Sequence, residues 1–242
     1  MPRPTTTQLT FPRRRRAKVE PEHPVYELDL WLVDSEPRIW RSLAVPADFT
    51  LAKLHDLIQI VMEWEDYHLH QFETSSGRSF EPTVQVGGVD AMWDMFRGGR
   101  EDPEDEDRIT LRALFEDLKQ TVSYLYDFGD SWKHGIKLID THEARSAFAH
   151  LPICLAGARA APPEDSGGIW GYGEKVQILR NPDPNDSWHQ EVMEWMGGAE
   201  FDPEAFDVNA TNRRIGGTWP TRPARSSSPR RGRTKRRKRK SR

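Results

Sequence analysis

Val25-Tyr26-Glu27-Leu28-Asp29-Leu30-Trp31-Leu32-Val33, the turn-like Asp34-Ser35-Glu36-Pro37 and then Ile39-Trp40-Arg41-Ser42-Leu43-Ala44-Val45 decide the class of this fold. Tyr26, Leu28, Leu30 and Leu32 alternate with Glu27 and Asp29, the period of two that a half-buried strand requires. Trp31 interrupts the polar face, so part of that face is covered as well. The second run is expected to pair antiparallel with the first and to close at Pro46.

Working outward, Thr50 offers an N-cap, and Leu51, Leu54, Leu57, Ile58, Val61 and Met62 recur at helical spacing up to Trp64. Tyr67 to Thr74 and a return around Phe80 predict a hairpin across Ser75-Ser76-Gly77-Arg78. Between Glu81 and Asp107 the pattern dissolves into glycine and acid, which predicts an exposed insertion. A short helix over Leu111 to Leu118 follows, then a hairpin of Thr121 to Asp127 and Trp132 to Asp140 turning at Phe128-Gly129-Asp130-Ser131. Further helices are expected at Trp170 to Leu179, at Ser187 to Met196 and after Asp202-Pro203. The order predicts an α+β fold, a mostly antiparallel sheet of hairpins packed by helices on one side.

The chain has 242 residues, 36% hydrophobic and 30% charged, with a mean hydropathy of -0.78. No stretch approaches the roughly 20 apolar residues of a bilayer helix, and no apolar core follows Arg13 to Arg16 as a secretory signal demands. A single cysteine, Cys154, excludes an internal disulfide and an all-cysteine zinc site. The expected setting is reducing and cytoplasmic. Cys154 lies between Ile153 and Leu155, which favours burial over reactivity.

Charge divides the chain into three parts. Residues 1 to 24 carry six Lys or Arg against two acids, and residues 213 to 242 carry fourteen with no acid. The net charge of -3 therefore leaves -21 for residues 25 to 212. The expected organisation is a disordered basic arm (1 to 24), a folded body (25 to 212) and a disordered basic tail (213 to 242). Arg230, Arg231, Arg233, Lys235, Arg236, Arg237, Lys238, Arg239 and Lys240 would attract phosphates in a salt-sensitive, sequence-independent way. The same run would also serve solubility or fold back on the acidic body. That body would suit a basic protein partner.

Four segments in this order resemble one family: Pro37-Arg38-Ile39-Trp40-Arg41; Leu54-His55 through Trp64-Glu65-Asp66-Tyr67-His68-Leu69-His70-Gln71-Phe72; Tyr126-Asp127-Phe128-Gly129-Asp130-Ser131-Trp132-Lys133-His134; and Pro162-Pro163-Glu164-Asp165-Ser166-Gly167-Gly168-Ile169-Trp170-Gly171-Tyr172. The closing Phe201 to Asp207 fits as well. Together they resemble the Ri-plasmid ORF-three-like family, whose members are also labelled passenger proteins of insertion elements. The resemblance implies a compact α+β domain, a bacterial or archaeal chromosome or mobile element as source, and no particular reaction. Relatives commonly carry Cys on either side of Pro-Pro-Glu-Asp, where this chain has Ala161 and Ser166. A thiol metal site in relatives would therefore be incomplete here.

Candidate chemistry centres on His68, His70, Asp127, Asp130 and His134, with Glu164 or Asp165. His68 and His70, two apart on a predicted strand, would face the same way, a spacing suited to shared ligation of a divalent metal together with Asp130 and His134. The structural reading makes Asp127 and Asp130 turn formers and the histidines satisfied buried groups. Asp165 or Ser166 is expected to cap the helix that follows, and His55 to sit at the edge of its helix's apolar stripe. Two functions follow. The first is a mobile-element-associated binding or adaptor domain touching nucleic acid through basic tails. The alternative is a metal-assisted hydrolase, acting for instance on a phosphoester, built on the His and Asp cluster.

Overall fold

Pleated alternation carries most of the architecture. The computed structural model describes residues 24–83, 102–115, 121–143, 150–197 and 200–219. Its strands are β1 (Pro24–Leu32), β2 (Trp40–Pro46), β3 (His70–Thr74), β4 (Ser79–Glu81), β5 (Glu104–Asp105), β6 (Thr121–Tyr126), β7 (Trp132–Glu143) and β8 (Ile153–Ala158). They form one sheet in the order β5-β4-β3-β6-β7-β1-β2-β8. Every pairing is antiparallel except β4 with β5. The helices are α1 (Leu51–Met62), α2 (Leu111–Leu114), α3 (Gly168–Arg180), α4 (Ser187–Trp195) and α5 (Val208–Thr218). The fold is α+β, as the patterning predicts.

Leu28, Leu30 and Leu32 of β1, Leu43 and Val45 of β2, Tyr124 and Tyr126 of β6, and Ile136 and Leu138 of β7 bury the same sheet face. Leu51, Leu54, Leu57, Ile58 and Val61 of α1 complete that core. Thr50 caps α1, its side chain accepting from the Lys53 N-H, and Glu63 closes it in the left-handed region. On the opposite face the Trp31 indole lies over Gly135, where a Cβ would come within 2.1 Å of the ring. Gly135 thus supplies the cover that the apolar break at Trp31 calls for.

Three expectations change. Glu104–Asp105 adds a parallel strand to β4 and Glu106 is buried, so the end of the expected insertion is part of the sheet; residues 84–101 lie outside the described residues. The helix from Leu111 ends at Leu114, and residues 116–120 also lie outside them. The folded part runs past the expected boundary at 212: α5 continues to Thr218, Ile215 is buried, and Trp219 stacks near Phe49 at 5.9 Å. The basic run from Arg230, like the arm through residue 23, lies outside the described residues.

Arg41 is a buried cation among carbonyls. Its Nε donates to the Val61 carbonyl at the end of α1, and its terminal nitrogen donates to Trp40 and Ala158. The guanidinium lies 4.1 Å from the Phe206 ring centroid. Burial lowers its pKa to about 10, still charged at neutrality. It thereby neutralises the negative end of α1 while tying β2 to β8. Arg41→Leu strands these carbonyls and should cost about 2–4 kcal/mol, read as a lower urea midpoint at unchanged slope.

Candidate functional site

The site grows out of the end of α1. After Glu63, the chain turns again at Asp66, also left-handed at φ 58°, and comes back as β3. Trp64 stacks on Tyr126 at 4.9 Å and donates its indole N-H to the Pro162 carbonyl. Glu164 accepts from the Tyr126 hydroxyl through Oε1 and from the Glu65 N-H through Oε2, the latter at 2.8 Å. Gly167 donates its N-H to Asp130 Oδ2 at 2.9 Å, and a Cβ on Gly168 would strike the Asp130 carbonyl. Segments 64–70, 126–131 and 162–168, all quoted for the family resemblance, are therefore fastened together at one place.

An inner group lies between α1 and the sheet. The His55 and His70 rings stack 3.5 Å apart at 7°. His55 Nδ1 is 2.8 Å from the Tyr124 hydroxyl, which accepts from Gln59 Nε2, and His55 Nε2 is 2.9 Å from Asp66. His70 Nε2 is 2.9 Å from Glu106, whose side chain is only 4% exposed. Ligand atoms of His55, Asp66 and His70 all lie within 4.8 Å of one another. Burial, and then His70, lower the His55 pKa to about 3. Burial also raises Asp66, against His70 and with Glu164 and Glu106 adding to it; burial followed by Asp66 and Glu106 raises Asp56. Carboxylates crowd here without a Lys or Arg counterpart among the described residues: Asp66 and Glu106 pair only with imidazole.

An outer group opens to solvent. His68 Nε2 lies 3.3 Å from Asp165 and 3.8 Å from Asp127, yet makes no aligned hydrogen bond. Ligand atoms of these three also fall within 4.8 Å. Asp127 accepts the Gly129 N-H, so it forms the turn as well as facing His68. Asp66, Asp127 and Asp165 all sit at φ between 56° and 58°, a region that Asp tolerates better than most residues. Tyr67 and Phe128 stand exposed on the same two segments.

The expected cluster is thus divided. His68 precedes β3 and joins Asp127 and Asp165, whereas His70 opens β3 and joins the inner group. They do not share one ligand set, because the strand starts only at His70 and its alternation does not govern His68. Asp130 anchors the start of α3, and Glu164 holds Tyr126. His134 is fully buried against Trp64 and Tyr124, with Nδ1 at 3.1 Å from the Trp132 carbonyl and Nε2 unpartnered. The N-cap of α3 is Gly167, with no side-chain cap of its own. Ser166 instead donates to the Pro163 carbonyl, and the Asp130 carboxylate reaches across to serve the helix start. His55 is central rather than peripheral, and Asp66 and Glu106 were missed. The available signal was His55 and Gln59, one helical turn apart on the apolar face of α1.

The model of the family described as plasmid pRiA4b ORF-3-like protein matches residues 24–210. The chain belongs to this family. Within reach of the plasmid ORF-3-like family stands uncharacterized protein y4hQ of Sinorhizobium fredii (strain NBRC 101917 / NGR234), 32% identical over 192 residues, covering 79% of this chain and 90% of that one. A crystal structure of a protein of unknown function, MM3350 from Methanosarcina mazei Go1, is similar at TM-score 0.64 and 35% identity, covering 77% of this chain and 96% of that one. Neither name carries an activity. No helix among the described residues is long and apolar enough to cross a membrane.

His134 makes a pH prediction. Burial holds its pKa down to about 3, against an ordinary 6.5. The unfolded chain therefore binds the proton first, and the stability present above pH 6.5 is lost as pH falls toward 3, by up to about 1.4 kcal/mol per pH unit. Urea titrations at pH 7, 5.5 and 4 should show a slope one proton smaller in His134→Phe.

Proposed function

We propose that the body is a metal-assisted hydrolase of phosphoester bonds. The observation that carries this reading is the meeting of three separate segments at His68, Asp127 and Asp165, with the Tyr126 ring next to both His68 and His55 of the inner group. Such convergence of imidazole and carboxylate is the equipment of hydrolysis. A divalent ion held beside these residues would supply Lewis acidity to the attacking water and to the phosphoryl oxygen. A carboxylate, Asp127 or Asp165, would take the proton of the attacking water. The water oxygen would bond to phosphorus as the ester P-O bond breaks, and the proton taken by the carboxylate would pass through His68 to the departing alkoxide. Its Nε2, buried 3.3 Å from Asp165 and without an aligned hydrogen bond, lies within reach of that carboxylate for such a relay.

With bis(p-nitrophenyl) phosphate and Mn²⁺, Co²⁺ or Zn²⁺, the full chain should release nitrophenolate. His68→Ala and Asp127→Asn should each lower kcat by about 10²-fold or more. Asn keeps a side-chain acceptor for the Gly129 N-H, so folding is preserved. Absence of turnover with all three ions sinks the reading.

A second reading is carried by the charge partition. The fourteen basic residues after 212 and the mobile-element label of the resembled family support a binding or adaptor role, with nucleic acid held through the basic end. The acidic body would then be free for a basic protein partner. Because the folded part reaches Trp219, the informative deletion removes residues 220–242. Anisotropy titration with duplex DNA should show weaker binding and a shallower salt dependence for that deletion; undiminished affinity overturns this reading.

A further inference from the structure

The inner group is chemically distinct from the mouth and is built differently. His55 and His70 are almost fully buried, and so is the Glu106 carboxylate, whose side-chain partner is His70. Asp66 closes the group from the solvent side, with its side chain half exposed. Two imidazoles and two carboxylates converge from α1, the turn after it, β3 and the segment after β5. None of the four is required to hold an element end: Thr50 caps α1, and Asp105 Oδ1 accepts the Asp107 N-H.

We propose that His55, Asp66, His70 and Glu106 form a binding site for a first-row divalent transition ion such as Zn²⁺, Co²⁺ or Mn²⁺. Two imidazoles select this class over Mg²⁺ and Ca²⁺, which prefer all-oxygen shells. The paired carboxylates would neutralise the ion, and no Lys or Arg among the described residues is paired with them in its place. Loading needs a modest contraction. Bonds of about 2.0–2.1 Å in a tetrahedral shell set ligand atoms about 3.3 Å apart, against separations of up to 4.8 Å among His55, Asp66 and His70, with Glu106 joined to them through its 2.9 Å contact with His70. The ring stack must also tilt open, since parallel imidazoles do not aim at one point.

The surroundings of His55 suit ligation through Nε2. Its Nδ1 is held by Tyr124, and Tyr124 by Gln59, the kind of outer chain that orients a metal-bound imidazole. Because Gln59 Nε2 donates to its oxygen, Tyr124 donates to His55 Nδ1 and the Nε2 proton goes to Asp66. An ion at Nε2 displaces that proton and requires the Nδ1 tautomer, which donates to the Tyr124 oxygen. The Tyr124 proton then needs a new acceptor, and Gln59 Oε1 is buried without a partner beside it. Turning the Gln59 amide over meets the need.

This assignment rests on the hydrolytic reading for the ion's use, and on the geometry alone for its presence. The test is titration of chelator-stripped full-length protein with Co²⁺, followed by calorimetry and by visible absorption, whose intensity reports nitrogen ligation and low coordination number. One Co²⁺ per chain is expected, retained in His68→Ala and undisplaced by excess Mg²⁺. Affinity should fall at least 100-fold in His70→Asn and 10-fold or more in Asp66→Asn. The latter changes a half-exposed side chain, so it stays informative if His70→Asn fails to fold. Absence of stoichiometric Co²⁺, equal affinity in Asp66→Asn, or displacement by Mg²⁺ overturns the assignment. Tight Co²⁺ without phosphoester turnover keeps the ion site and removes the hydrolase reading; turnover without Co²⁺ at this site does the reverse.

Discussion

The seam between α1 and strands β3 and β6 must satisfy polar groups where a helix-on-sheet core is normally filled with hydrocarbon. Along one line it holds Gln59, Tyr124, His55, His70 and Glu106, each in contact with the next. A half-satisfied buried network is worse than an apolar one, so the geometry of α1 against the sheet is fixed by these contacts as well as by leucine packing. The two left-handed residues after α1, Glu63 and Asp66, follow from the same constraint: the chain must turn sharply for His70 to lie under His55.

Arg41 answers a related problem at the C-terminal end of the helix. A buried guanidinium satisfied by carbonyls is costly to desolvate, yet here it donates to three carbonyls from three separate segments. The protein thus places a cation at the C-terminal end of α1 and imidazole-carboxylate chemistry along its flank. Apolar burial on the rest of the helix carries the stability that these devices spend.

The strands and α1 were legible because alternation and helical spacing depend on burial of one face, which residues 25–45 and 50–62 display directly. β8 was not, since Ile153-Cys154-Leu155-Ala156 shows no alternation. β5 is two residues long and is made a strand by pairing with β4, which no local signal announces. Of the site, His68, His70, Asp127, Glu164 and Asp165 could be named from their segments, but not their grouping. That depends on where β3 begins and on how the Pro162–Gly168 loop lies over Tyr126. Glu106 was hidden because an acidic stretch gives no sign which member will be drawn under a sheet edge, and Asp66 looked like any residue of a polar turn.

The contacts of this site span long stretches of chain. His70 meets Glu106 across 36 positions, His55 meets Tyr124 across 69, and Trp64 meets Pro162 across 98. Such a constellation has no local precursor, and closing these loops costs entropy that only the completed sheet returns. A nascent chain or proteolytic fragment stopping before residue 162 lacks the loop that holds Tyr126 and Trp64 in place. An ion bound in the seam would therefore recognise the finished molecule, its grip shared by every strand that had to arrive first.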